Sequence, residues 1–207
     1  MGTVLLVGTT FGVVARQSGL EPLEIVGMSL LVFAGASQFA MVQLFSQATP
    51  APIVIVSVLF INLRHLLMAT SLRPHLGRLP LLWRLLAAYF LTDESFAMAT
   101  GHFRRGGRSL AYYFTFAMAL FVLWNVATVV GIVVGGAMGD PRRFGVDFAI
   151  TATFLGIVVL AIRRRTDVII ALVAALVAGA LALAGASAVA VITAGAIAPL
   201  IAVFVRR

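Results

Sequence analysis

Residues 56–72 read VSVLFINLRHLLMATSL, an apolar run with Asn62, Arg64 and His65 set in its middle. Together with the residues before it, this run can cross a bilayer, whose hydrocarbon core of about 30 Å takes about 20 helical residues. As a helix it puts Asn62 and His65 on one face at i and i+3, while Ser57, Arg64 and Ser71 recur every seven residues along another. An arginine near mid-membrane costs at least about 2.5–3.5 kcal/mol on insertion scales, so it faces a bundle interior or water and needs a partner. The stretch reads as one helix of a membrane bundle with a polar interior.

The remainder of the chain has the same character. Its 207 residues are 62% hydrophobic and 11% charged, and the mean hydropathy is +1.11. No stretch supplies the polar surface of a soluble domain. Apolar runs occupy about 3–15, 23–45, 52–72, 81–98, 111–136, 148–162, 168–184 and 187–205. The expected fold is therefore all-α, a polytopic transmembrane bundle of about seven to eight helices with at least one broken helix, in a single membrane domain over 1–207. Loops such as 73–80 and 101–108 are too short to carry a domain, so function sits inside the bundle. The first run is short for a crossing unless it extends through residues 16–19, and a shortened start is expected. No basic region precedes it and no small-residue cleavage site follows it, as a signal peptide would require. MGTVLL also lacks the Ser/Thr of a myristoylation signal.

Residue types that are missing remove several chemistries. All 15 Lys+Arg residues are arginine, so a lysine-dependent phosphate loop and a Schiff-base lysine are excluded. With Cys 0 there is no thiol nucleophile, disulfide or iron–sulfur cluster, and with His 3 (His65, His75, His102) no His-Glu-x-x-His zinc motif. No catalytic residue, metal or cofactor is expected. The net charge of +8 comes from arginines at the ends of apolar runs, where they reach towards lipid headgroups, so membrane lipid and not nucleic acid is the implied partner.

The polar groups at membrane depth are the candidates for function. Residues 29–45, SLLVFAGASQFAMVQLF, carry Gly35, Ala36, Ser37, Gln38 and Gln43, and glutamine beside a Gly-Ala-Ser step suits a broken helix whose freed backbone lines a cavity. Residues 85–99, LLAAYFLTDESFAMA, place Asp93 and Glu94 side by side, about 100° apart on a helix, so both cannot easily share one partner. At least one should face an aqueous pathway, as a coupling site or an acceptor for a substrate ammonium. Trp124 and Asn125 sit near the centre of the fifth run, where Asn125 could bond across helices and Trp124 could fill space. Asp140, Pro141 and Asp147 mark the loop beyond it. The seventh run is almost pure Val, Leu and Ala and reads as scaffold; Ala171, Ala175 and Gly179, like Gly131 and Gly135, permit close helix contact.

Taken together, FAGASQF, INLRH, LTDESFA, LWNVATVVG and the later Asp-Pro with Asp147 and Phe154 resemble the AzlC/YgaZ family, the large subunit of branched-chain amino acid exporters. The blocks fall in the family's order over nearly the whole chain. The start departs: family members usually have an extra stretch before the first helix and Pro-Phe-Gly where this chain has Thr10, Phe11 and Gly12. The resemblance implies a multi-pass protein of the bacterial inner membrane. It would export leucine, isoleucine and valine, with methionine as a further candidate substrate, and a small AzlD/YgaH-type membrane subunit as partner. The residues permit such a substrate independently. Asp93 or Glu94 could accept an ammonium, Arg64 or the backbone around Gly35 to Ser37 could bind a carboxylate, and Phe33 or Phe39 could line an apolar pocket. Without a nucleotide site, the energy must come from a gradient, protons being the expected coupling ion. A proton channel or a non-transporting subunit of another transporter is the alternative. A Ser-His hydrolase built on Ser71 or Ser37 with His65 is disfavoured by spacing, since Ser71 and His65 face different directions on one helix.

Overall fold

A computed structural model describes residues 1–138, 155–156, 158–159, 162, 164–185 and 193. The described residues are helical with short connections, in the order α1 (Gly2–Gln17), α2 (Pro22–Leu31), α3 (Gly35–Ser46), α4 (Ala51–Leu76), α5 (Leu81–Tyr89), α6 (Asp93–Arg104), α7 (Leu110–Ala137) and α8 (Arg165–Leu183). The expected helical membrane bundle is what forms, and α4, α7 and α8 are each long and apolar enough to cross a bilayer. Most of the sixth and eighth apolar runs, and Asp140, Pro141, Asp147 and Phe154, lie outside the described residues.

Two of the apolar runs are each divided in two. The break at 32–34, between α2 and α3, falls where the Gly-Ala-Ser step suggested it, with Phe33 in the left-handed region at φ 41°. The run 81–98 was expected as one helix and is not: α5 stops at Tyr89 and α6 restarts at Asp93. The physical reason is local capping. Thr92 is extended (φ −124°, ψ 172°), its hydroxyl accepts from the Ser95 N–H at 3.3 Å, and the Thr92 N–H donates to Ser95 Oγ at 2.8 Å. Such a reciprocal box starts a helix in preference to continuing one. The elements then repeat in kind, short, short and long, starting at residues 22, 35 and 51 and again at 81, 93 and 110, so each start recurs after 58 or 59 residues.

The chain forms two compact units. The first comprises Met1–Phe39 and Asn62–Gly139; the second has Ala40–Ile61 and α8 among its described residues. Within the first, α7 is the hub, and α1, α2 and α6 pack on it. Its buried positions Tyr113, Ala117, Leu120, Trp124, Thr128, Gly131 and Gly135 recur every three or four residues, the spacing of one helical face. Gly12 and Gly131 let α1 and α7 touch backbone to backbone: a Cβ at Gly12 would lie 2.3 Å from the Thr128 carbonyl oxygen, and one at Gly131 would lie 2.2 Å from that of Thr9. In lipid such close approach supplies the van der Waals contact that the hydrophobic effect cannot.

Candidate functional site

Breaking a helix inside a membrane frees carbonyls that have no water to turn to, and each needs a donor. Three side-chain hydroxyls do this work at the two breaks. The Tyr89 hydroxyl donates to the Leu30 carbonyl in the last turn of α2. In the last turn of α5, Tyr113 donates to the Ala87 carbonyl at 2.7 Å, and Ser95 Oγ donates to the Phe90 carbonyl at 3.0 Å. The breaks also meet through rings. Phe33 lies 6.5 Å from Phe90, 6.4 Å from Tyr89 and 5.0 Å from Phe121, centroid to centroid.

α4 joins the second half of each broken helix. Ser37, the third residue of α3 and wholly buried, donates to Asn62 Oδ1 at 2.6 Å. Two residues along α4, Arg64 Nη1 donates to Asp93 Oδ2 at 2.7 Å, and Asp93 is the first residue of α6. The N-terminal turns of α3 and α6 are thus tied to Asn62 and Arg64. A helix N-terminus carries the positive end of its dipole, and Asp93 is placed in that first turn. The ion pair is half-exposed, at 37% and 55% for the two side chains. Arg64 Nε is buried without a hydrogen-bond partner. His65 Nδ1 lies 3.1 Å from the Asn62 carbonyl, an acceptor only, so this nitrogen carries the proton. Glu94 is exposed beside the pair, with no ion pair of its own among the described residues.

Deeper in the bundle, Ser29, Gln38 and Thr128 are all fully buried and form one chain. Gln38 Nε2 donates to Ser29 Oγ at 3.0 Å, and the Ser29 and Thr128 hydroxyls share a bond of 3.0 Å. Gln38 Oε1 and Trp124 Nε1 are buried without partners. Trp124 stacks on Phe11 with centroids 6.0 Å apart, and its ring lies 3.0 Å from where a Cβ at Gly35 would be.

The structure therefore gathers Ser37, Asn62, Arg64, His65, Asp93 and Glu94 around α4, and Gly35, Gln38 and Trp124 around the α2–α3 break. Asn125 is a correction: its Nδ2 donates to the Phe121 carbonyl of its own helix at 2.8 Å, not across helices, a local bond that a short polar side chain can make in place of a distant one. Ser71 likewise bonds to the Leu67 carbonyl within α4. Sequence reasoning did not single out Ser29, Thr128, Tyr89, Ser95 and Tyr113. The signal for Ser95 was present in Thr-Asp-Glu-Ser, a capping pattern three residues apart; the others carry none.

Broken helices whose N-terminal turns are tied to a polar face of α4, one by a hydrogen bond and one by an ion pair, define a polytopic helical membrane protein with a polar interior. The comparisons give that class its family: the AzlC protein family model matches residues 1–138, and the chain belongs to the AzlC family. It is similar to the inner membrane protein YgaZ of Escherichia coli, at 32% identity over 178 residues, covering 82% of this chain and 73% of that one. It is also 32% identical over 151 residues to an uncharacterized membrane protein of Archaeoglobus fulgidus, covering 72% of this chain and 65% of the other's length. An uncharacterized membrane protein of Helicobacter pylori (strain J99) is 32% identical over 166 residues, covering 79% and 71%. No solved structure matches the chain.

Proposed function

We propose that the chain is the large subunit of a branched-chain amino acid exporter, moving leucine, isoleucine, valine and methionine out of the cytoplasm with a small AzlD/YgaH-type membrane subunit. The observation that carries this reading is the Arg64–Asp93 pair at 2.7 Å, half-exposed and set against the N-terminal turn of a broken helix. Its two charges match the two charges of an amino acid. Asp93 takes the ammonium. Arg64 takes the carboxylate through the guanidinium that now holds Asp93. Because pair and zwitterion are each neutral overall, the substrate replaces the internal contact without leaving an uncompensated charge at membrane depth. The rings of Phe33, Phe90 and Phe121 offer an apolar neighbourhood for a branched side chain. Glu94, adjacent to Asp93 and free of an ion pair among the described residues, is the group assigned to the coupling proton.

The test is efflux from proteoliposomes loaded with labelled leucine, with and without the small subunit, under an imposed proton gradient. Leucine efflux that the gradient accelerates is the expected result. Leucinamide and the corresponding hydroxy acid, each lacking one charge of the zwitterion, should not compete. Absence of efflux in both preparations, or equal competition by the singly charged analogues, overturns the reading.

A further inference from the structure

α4 ends at Leu76 and α5 begins at Leu81. Arg73, in the last turn of α4, and Arg84, in the first turn of α5, therefore flank one short loop and lie at the same membrane boundary. They line a common cavity of about 330 Å³ whose apolar wall includes Ala69, Leu72, Ala87 and Leu91. That volume is at the lower end of the range of about 300–1,000 Å³ typical of ligand sites. All of these residues belong to one compact unit. Neither arginine has an ion pair among the described residues, and both are exposed, whereas Leu72, Ala87 and Leu91 are buried. Two exposed guanidinium groups lining one open cavity repel each other and attract an anion, and planar guanidinium forks match phosphate oxygens. A free phosphate would satisfy the charges and leave Ala69 and Ala88, the exposed part of the apolar wall, uncovered. A phospholipid covers both.

We propose that this cavity is a binding site for an anionic phospholipid, its phosphate between Arg73 and Arg84 and the start of an acyl chain against Ala69 and Ala88. Basic pockets between membrane helices take lipid headgroups in this way. Leu91 lies in the α5–α6 break, two residues before Asp93, so the bound lipid abuts the segment that sets the carboxylate's position. The site stands on this cavity alone and holds whether or not amino acids are the substrate.

The experiment is native mass spectrometry of the full chain in detergent, titrated with phosphatidylglycerol, with phosphatidylcholine and inorganic phosphate as comparison ligands. A saturable one-to-one phosphatidylglycerol adduct that survives activation is expected, with phosphatidylcholine bound far more weakly. Arg73→Gln and Arg84→Gln should each weaken the adduct about fivefold and the double variant about 25-fold, at roughly 1 kcal/mol per arginine. Arg104→Gln, at the end of α6, should leave it unchanged. Arg73→Lys with Arg84→Lys keeps the charge and should retain the adduct in large part, which separates a lost site from a misfolded chain. Equal binding of phosphatidylcholine, full binding by the double glutamine variant, or protection by inorganic phosphate equal to that by the lipid would each overturn the assignment.

Discussion

Arg64 and Asp93 bond to each other across α4 and α6, and neither has a second ion pair among the described residues. Arg64→Ala leaves a lone carboxylate beside the bundle interior, and leucine efflux should fall at least tenfold while the protein loses thermal stability. The reversed pair, Arg64→Asp with Asp93→Arg, restores opposite charges but inverts the order in which a zwitterion meets them. It should recover thermal stability without efflux; recovery of both would show that the pair is structural. Glu94→Gln should keep leucine exchange and lose acceleration by a proton gradient, whereas Asp93→Asn should lose both. A Glu94→Gln protein still driven by the gradient places the coupling proton elsewhere. At this scale much was legible beforehand, because a lone intramembrane arginine demands a carboxylate and Asp93 and Glu94 were the adjacent acids in the apolar runs. Which of the two answers was not legible. That choice depends on Asp93 opening α6, and so on the Thr92–Ser95 cap.

The elements show where periodicity stops being informative. Residues 29–45 announce their break through Gly35 and Ser37, whereas 81–98 hold neither glycine nor proline, and only the Thr-Asp-Glu-Ser capping pattern marks the restart at Asp93 after the stop at Tyr89. What makes that stop tolerable is the set of hydroxyls on the freed carbonyls. Tyr89→Phe and Tyr113→Phe should each cost about 1–3 kcal/mol by leaving a carbonyl unsatisfied. Thermal unfolding should register this as a fall of several degrees, at about 2–4 °C per kcal/mol for a chain of this size. Unchanged melting of both would mean that water or lipid headgroups reach the breaks. The α1–α7 contact invites a sharper comparison. Gly12→Ala and Gly131→Ala drive a methyl into a backbone carbonyl and should abolish the folded, monodisperse protein, whereas Gly27→Ala, with nothing within 4 Å of the added Cβ, should be neutral or slightly stabilising. Gly131 and Gly135 were legible as close-packing residues. That they serve α1 was not, since small-residue spacing names no partner.

For the molecule as a whole, Leu59, Leu63, Leu66 and Leu67 of α4 are all exposed, a ridge fit for lipid or for a second membrane subunit. Efflux by the purified chain alone, at the rate reached with the small subunit present, would count against an obligatory partner; we expect the chain alone to be inactive. The contact between α1 and α7 sets a different requirement, one of timing. Gly12 leaves the ribosome long before Gly131, and at about 5–20 residues per second the gap is roughly 6–24 s. For that interval α1, a helix of 16 residues, must wait in or beside the bilayer without the surface it was shaped to meet. Nascent chains halted before residue 131 should accordingly leave α1 open to proteolysis, and chains halted well beyond it should protect it. α1 is made well before the surface it packs on, so the rate of synthesis, and whatever shelters α1 meanwhile, belongs to the conditions under which this sequence folds.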